Sequence, residues 1–243
     1  MTRSSEQRDV YMQNSGNYNE PLQRRWLLLS VLGLSSALST VLSAFRIWYS
    51  DTFVYLFLNW NLLLAWTPLG LALLLWRLDR RARRPKLMML AVFAGWFVFF
   101  PNSPYIVSDL IHLSPRNSVP LWFDAIMIFS FAWNGLILGF LSLWLVQQLM
   151  TGWLGRVASW LLVAGTLGAT GFGIYLGRFQ RWNSWDILVD PIGLLRDIAI
   201  RVANPFDYPR TLGVTILFAG FLMVAYLTLT LLPAALRSER IKN

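Results

Sequence analysis

The sequence predicts an all-α polytopic transmembrane helical bundle of about six spans, and three observations predict it. Of 243 residues, 56% are hydrophobic and only 14% charged, where a soluble chain averages about 45–50% and about 25%. Uncharged runs recur that are long enough to cross a hydrocarbon core of about 30 Å, which takes about 20 residues of helix. Trp26, Trp48, Trp76, Trp122, Trp153, Trp182 and Trp185 fall at or near the ends of those runs, as interfacial aromatic rings do.

Composition also excludes chemistry. With no Cys, the chain has no disulfide, no thiolate nucleophile and no Cys-held zinc or iron–sulfur cluster. The net charge of +9 does not call for nucleic acid, because the basic residues sit in short segments flanking apolar runs.

Residues 1–25 are polar without apolar periodicity and read as a disordered tail. Residues 26–45 follow without a charge and close at Arg46; a signal peptide has an apolar core of only about 7–15 residues, so this is expected to be an uncleaved first span. The second span is expected at 54–76, with Asn59, Asn61 and Pro68 inside it. A connector carrying Arg77, Arg80, Arg81, Arg83, Arg84 and Lys86 leads to a third at 87–100. The fourth (121–146), the Gly-rich fifth (157–176) and the sixth (211–232) complete domain 26–232, and 233–243 form a second tail. The Lys and Arg excess on the side of the termini and of the 77–86 connector puts both termini in the cytoplasm. No repeat of 20–50 residues marks a solenoid or an inverted transporter architecture.

Polar residues inside this frame concentrate on the opposite side. The third span is short: its apolar run rises about 21 Å at 1.5 Å per residue, so the chain must continue through Pro101, Asn102, Ser103 and Pro104. Two prolines cannot extend a regular helix, which predicts a broken span at Pro101–Pro104. Ser103 then caps a second short helix from Pro104 to Leu113, with Tyr105, Asp109 and His112 on one face. Asp124, near the start of the fourth span, needs a partner. Asn134, about 15 Å deeper along the same helix at 1.5 Å per residue, is expected to hydrogen-bond across helices. Gly135 with Gly139, and Gly173 with Gly177, are small-residue patches for close helix approach. At the end of the fifth span, Arg178, Arg181 and Asp186 gather beside Trp182 and Trp185. They read either as interfacial anchors or as counter-ions for Asp109, Asp124 or an anionic ligand. Pro191 to Val202 reads as an amphipathic interfacial helix, capped by Asp190, ended by Asn204 and Pro205, with Ile192, Leu195, Ile198, Ala199 and Val202 on one face and Leu194 and Ile200 off it.

These residues also carry a resemblance. The stretch Phe100, Pro101, Asn102, Ser103, Pro104, Tyr105 running to Asp109, Leu110, Ile111, His112, Leu113 is one motif. Trp122, Phe123, Asp124 with Phe131, Ala132, Trp133, Asn134, Gly135 is a second. Gly171 through Gly173, Ile174, Tyr175, Leu176, Gly177, Arg178 to Arg181, Trp182, Asn183, Ser184, Trp185, Asp186 is a third. Across roughly residues 55–230 the sequence resembles the DUF1361 family of bacterial multi-pass membrane proteins of unknown function. The resemblance implies a bacterial plasma (inner) membrane location and brings no activity, cofactor or site residue.

Three functional readings stand side by side. In the first, an outward-facing site binds or handles a small anionic or lipid-headgroup ligand through Asn59, Asn102, Tyr105, Arg178, Arg181 and Asp186. In the second, His112, Asp109 and Asp124 serve metal-assisted or acid–base catalysis on a lipid-linked substrate. In the third, the polar cluster locks a structural scaffold. The expected partners are the bilayer and that headgroup or anion, with no nucleic acid and no cofactor.

Overall fold

In the computed structural model the described residues are 3–81, 85–116, 119–182 and 186–240, with the side chains of 3–26, 187–188 and 233–240 outside the description. Among them the chain is helical throughout, apart from short connections and one isolated bridge between Arg116 and Val119. The elements are α1 (Arg3–Ser50), α2 (Phe57–Asp79), α3 (Lys86–Phe99), α4 (Asn102–Tyr105) with a 3₁₀ segment (Ile106–His112), α5 (Leu121–Phe179), α6 (Asp186–Val189), α7 (Pro191–Ala203) and α8 (Pro209–Arg240). Five helical stretches are long and apolar enough to cross a membrane: Leu27–Ser50, Phe57–Asp79, Lys86–His112, Leu121–Phe179 and Pro209–Leu232. The expected tails 1–25 and 233–243 fall on residues whose side chains lie outside the description.

The 59 residues of α5 would rise about 88 Å as one rod, nearly three times the hydrocarbon thickness. They do not form one rod. Gly155, at φ 86° and ψ 172°, interrupts the helical geometry in a backbone region open to glycine, so the expected connector between the fourth and fifth spans shrinks to one residue. The limbs 121–154 and 156–179 pack on each other, with Phe140, Leu143 and Val146 of the first sharing a core with Val163, Leu167 and Ile174 of the second. Trp96, Phe100 and Tyr226 fill the same cluster. Counting the two limbs separately gives six passes.

The third span corrects the expected cap. Phe100 and Pro101 keep right-handed helical backbone, so the chain does not unwind. The break is a change of hydrogen-bond register. Pro104 has no N–H to give to the Phe100 carbonyl, and Ser103 N–H takes that acceptor at 3.1 Å. The segment tightens into 3₁₀ geometry from Ile106 to His112, in place of the expected α-helix from Pro104 to Leu113. Ser103 is inside the helical run and caps nothing. Its Oγ donates to the Ala65 carbonyl of α2 at 2.8 Å.

Both glycine pairs serve this one segment. A Cβ on Gly135 would collide with the Ser103 carbonyl, and one on Gly139 would stand 3.0 Å from Ser103 Cβ. From the second limb, Gly177 leaves room for Tyr105, whose Cε2 would lie 2.9 Å from an added Cβ, and Gly173 faces Pro101 at 3.5 Å. The segment 101–106 is thus seated between the limbs of α5, with Gly135, Gly139 and Gly177 leaving room that a side chain would crowd. Asn134 ties α1 to the first limb: Nδ2 donates to Ser39 Oγ at 2.9 Å and to the Ser35 carbonyl at 3.2 Å, and Oδ1 accepts from Ser36 Oγ.

On α7, Asp190 accepts from Gly193 N–H at 2.9 Å and Asn204 stands at the C-cap, as expected. Most of the apolar stripe expected for an interfacial helix points away from the bundle. Leu194, expected off the stripe, is the buried residue, while Ile192, Leu195 and Val202 are exposed. The cause is polar: Asp197 and Arg201 turn toward the bundle, where Asp197 accepts from Trp182 Nε1 at 2.8 Å and pairs with Arg201.

Replacing Gly135 by Ala should overpack the Ser103 contact and cost about 1–3 kcal/mol, seen as a lower melting temperature of the purified protein. Gly168→Ala, which meets nothing within 4 Å, should leave the temperature unchanged.

Candidate functional site

At the end of the bundle away from the 77–86 connector, Arg178 closes the second limb of α5. Its guanidinium gathers most of the 3₁₀ segment. Nε and Nη2 donate to Ser108 Oγ at 3.1 and 2.9 Å, Nη2 pairs with Asp109 Oδ1, and Nη1 donates to His112 Nε2 at 2.6 Å. The planar group also lies over the Tyr105 ring, 4.6 Å from its centre. Asp109 is 1% exposed and Arg178 11%. Asn61 of α2 donates to the second Asp109 oxygen at 2.9 Å.

The hydrogen bonds fix protonation. A guanidinium only donates, so Nε2 of His112 is the accepting nitrogen, and the neutral ring carries its proton on Nδ1. The basic lone pair of the imidazole is therefore engaged. Both oxygens of Asp109 are engaged as well, although an ionised carboxylate retains further acceptor directions.

Asp124 lies elsewhere. It is 1% exposed and paired with Arg46 of α1, itself 1% exposed, at 3.0 Å. Nη1 of Arg46 also donates to Ser50 and Thr52, and the group packs 4.7 Å from the centre of the Tyr55 ring. The sequence offered Arg178 and Arg181 as counter-ions for Asp124; the structure instead gives it Arg46, which the sequence placed only at the close of the first span. Tyr55 touches both clusters, since its hydroxyl donates to the His112 carbonyl at 3.1 Å.

The clustered residues line a cavity of about 540 Å³, inside the range of about 300–1,000 Å³ typical of ligand pockets. One end is polar, with Asn61, Asn102, Tyr105, Asp109, His112 and Arg178. Most of the remaining lining is apolar, and Trp60, Phe97 and Val98 within it are 51%, 39% and 39% exposed. Leu194 and Ile198 of α7 close part of the rim.

Of the six expected ligand-binding residues, Asn102, Tyr105 and Arg178 reach this cavity; Asn59, Arg181 and Asp186 do not line it. Asn59 instead donates to Ser43 Oγ of α1 at 2.8 Å. Arg181 is exposed, and at φ 63° its backbone turns the chain so that Trp182 N–H donates to the Leu176 carbonyl at 3.1 Å. Asp186 sits in α6, and Asn183, Ser184 and Trp185 lie outside the described residues. Asp109 and His112 come together as the spacing suggested, without Asp124. No three His, Asp or Glu side chains converge on a metal-sized space among the described residues. Ser108 was missed; it stands three residues beyond Tyr105, the spacing that a 3₁₀ turn brings into line.

Residues 60–225 match the family model described as a protein of unknown function, DUF1361. No curated protein and no solved structure matches the chain.

Replacing Asp124 by Asn should strand the Arg46 charge and cost about 3–5 kcal/mol, whereas replacing both partners by Leu should recover most of that loss. Thermal unfolding of the three purified proteins checks it.

Proposed function

The chain belongs to the DUF1361 family, and since that premise supplies no activity, we propose from geometry that this integral membrane protein binds the polar head of an amphiphile in its lateral cavity. The observation that carries the reading is the polarity of the cavity itself. Donors and acceptors cluster around Arg178, while the rest of the lining is apolar and includes the exposed Trp60, Phe97 and Val98 of two membrane-spanning helices. A water-soluble ion has no use for that wall. An acyl chain does, since burying apolar surface contributes about 25 cal/mol per Å² only where the ligand has such surface to bury.

Charge balance narrows the ligand further. Arg178 is paired with Asp109 and donates to His112, so the guanidinium that lines the cavity already has its counter-ion. This favours the headgroup over the free anion of the sequence-level reading. Acid–base catalysis is disfavoured by the engaged lone pair of His112. The scaffold reading accounts for the Arg46–Asp124 pair, which lines no cavity, and leaves the open volume beside Arg178 without a role.

In orientation, the basic 77–86 connector belongs in the cytoplasm, so the site opens in the outer half of the bilayer.

Lipid retention tests the reading. Ala169 lines the cavity, and Ala169→Phe should reduce the lipid carried through purification several-fold by native mass spectrometry, with little change in melting temperature. Equal retention by wild type and variant would remove the cavity from the account. In cells, a membrane-impermeant maleimide should label Ser114→Cys and spare Ala82→Cys; the reverse pattern would place the site on the inner side.

A further inference from the structure

We propose a second lipid site at the end of the bundle away from Arg178: a lateral groove that seats an acyl chain of an anionic phospholipid and holds its phosphate at a basic rim. Between α3 and the turn joining the two limbs of α5 lies a cavity of about 650 Å³. Leu90 and Phe93 of α3 line it, with Trp153, Ala158 and Leu162 around Gly155, and Lys86 is the charged member of the lining. From Lys86 to Phe93 the helix rises about 10 Å at 1.5 Å per residue, so the groove runs from the polar interface into hydrocarbon. It is open sideways, Leu90 and Leu154 being 64% and 67% exposed.

Inside a bilayer an acyl chain gains no hydrophobic free energy by leaving its neighbours for this groove, because lipid tails are as apolar as the lining. The groove seats the chain, and the rim selects the head. Lys86 is exposed, as are Arg77, Arg80 and Arg81 at the end of α2 and Arg156 beside the turn. Trp153 Nε1 donates to Asp79 Oδ1 at 3.1 Å, which brings the end of α2 against the groove wall. Arg80, next in the chain, lies over the Trp76 ring, 3.4 Å from its centre, and a guanidinium stacked by its face keeps its N–H donors in the plane for a phosphate. Among residues with described side chains, Asp79 is the only carboxylate at this end. Lys86, Arg80 and Arg156 are in no ion pair with a described residue, whereas Arg178 at the other end has its counter-ion within the protein. A zwitterionic head brings its own ammonium to this rim and gains less than an anionic one. The basic connector sets the rim toward the cytoplasmic leaflet, whose anionic lipids attract such clusters.

This site is independent of the cavity beside Arg178, and titration of the purified full chain with phosphatidylglycerol and phosphatidylcholine of identical acyl chains tests it by native mass spectrometry. Phosphatidylglycerol should bind about tenfold more tightly, a difference of about 1.4 kcal/mol, and in wild type that preference should shrink as salt is raised to about 0.5 M. Lys86→Gln, a change on the surface, should lower phosphatidylglycerol affinity about fivefold and phosphatidylcholine affinity by less than about twofold. Ala158→Phe should fill the groove and weaken both lipids several-fold. Ala169→Phe, in the other cavity, should leave the preference intact; its loss there, with Lys86→Gln unaffected, would move the anionic lipid to the Arg178 end and overturn this site. Equal affinity for the two lipids, or a preference indifferent to salt, would overturn the basic rim. Unchanged binding in Ala158→Phe would overturn the groove. A lipid-free dimer that Ala158→Phe dissociates would give the groove to a second copy of the chain and overturn the lipid as its occupant.

Discussion

One guanidinium organises the upper end of this bundle. Arg178 is the last turn of a membrane-spanning limb, and hydrocarbon offers nothing to solvate its charge, so it must be answered by protein. Ser108, Asp109, His112 and the ring of Tyr105 answer it, and all four belong to the continuation of the third span. The contact therefore holds the 3₁₀ segment against α5, and the segment in turn forms the polar end of the cavity. Without that clamp, the apolar walls would have no polar floor.

The room for the clamp comes from absent side chains. Gly135 admits the Ser103 carbonyl at a distance a Cβ would forbid, Gly177 makes room for the Tyr105 ring, and Gly139 leaves Ser103 a tight fit. Gly155 brings the limbs back upon each other. Tyr55 joins the clamp to the second buried ion pair, touching Arg46 with its ring and the His112 carbonyl with its hydroxyl. Buried ion pairs add little net stability compared with apolar packing, yet breaking one is costly, which suits groups that define a geometry.

Depth and chemistry were legible in the sequence. Apolar runs gave the passes, the prolines gave the break in the third span, and the demand that Asn134 find an interhelical partner was met by serines of α1. The gathering of Tyr105, Asp109 and His112 followed from spacing alone. Pairing was half legible: Arg178 was a candidate counter-ion for Asp109 and takes that place, but Arg46, 78 residues from Asp124, was not among the candidates, because only tertiary packing brings the two together. Nor was the side that α7 turns to the bundle legible: the stripe with Ile192 and Leu195 stays exposed, and the bond from Trp182 to Asp197 holds the other side inward. The cavity itself is a property of three helices and the rim of a fourth, and no segment announces it.

The account depends on Arg178 and Asp109 acting as a unit, and a double-mutant cycle of thermal stability measures that directly. Arg178→Gln strands a carboxylate and Asp109→Asn strands a guanidinium, so the double variant should be more stable than the sum of the single losses predicts, with a coupling of about 0.5–3 kcal/mol. Losses that add to within about 0.3–0.5 kcal/mol, the behaviour of independent sites, would contradict the clamp.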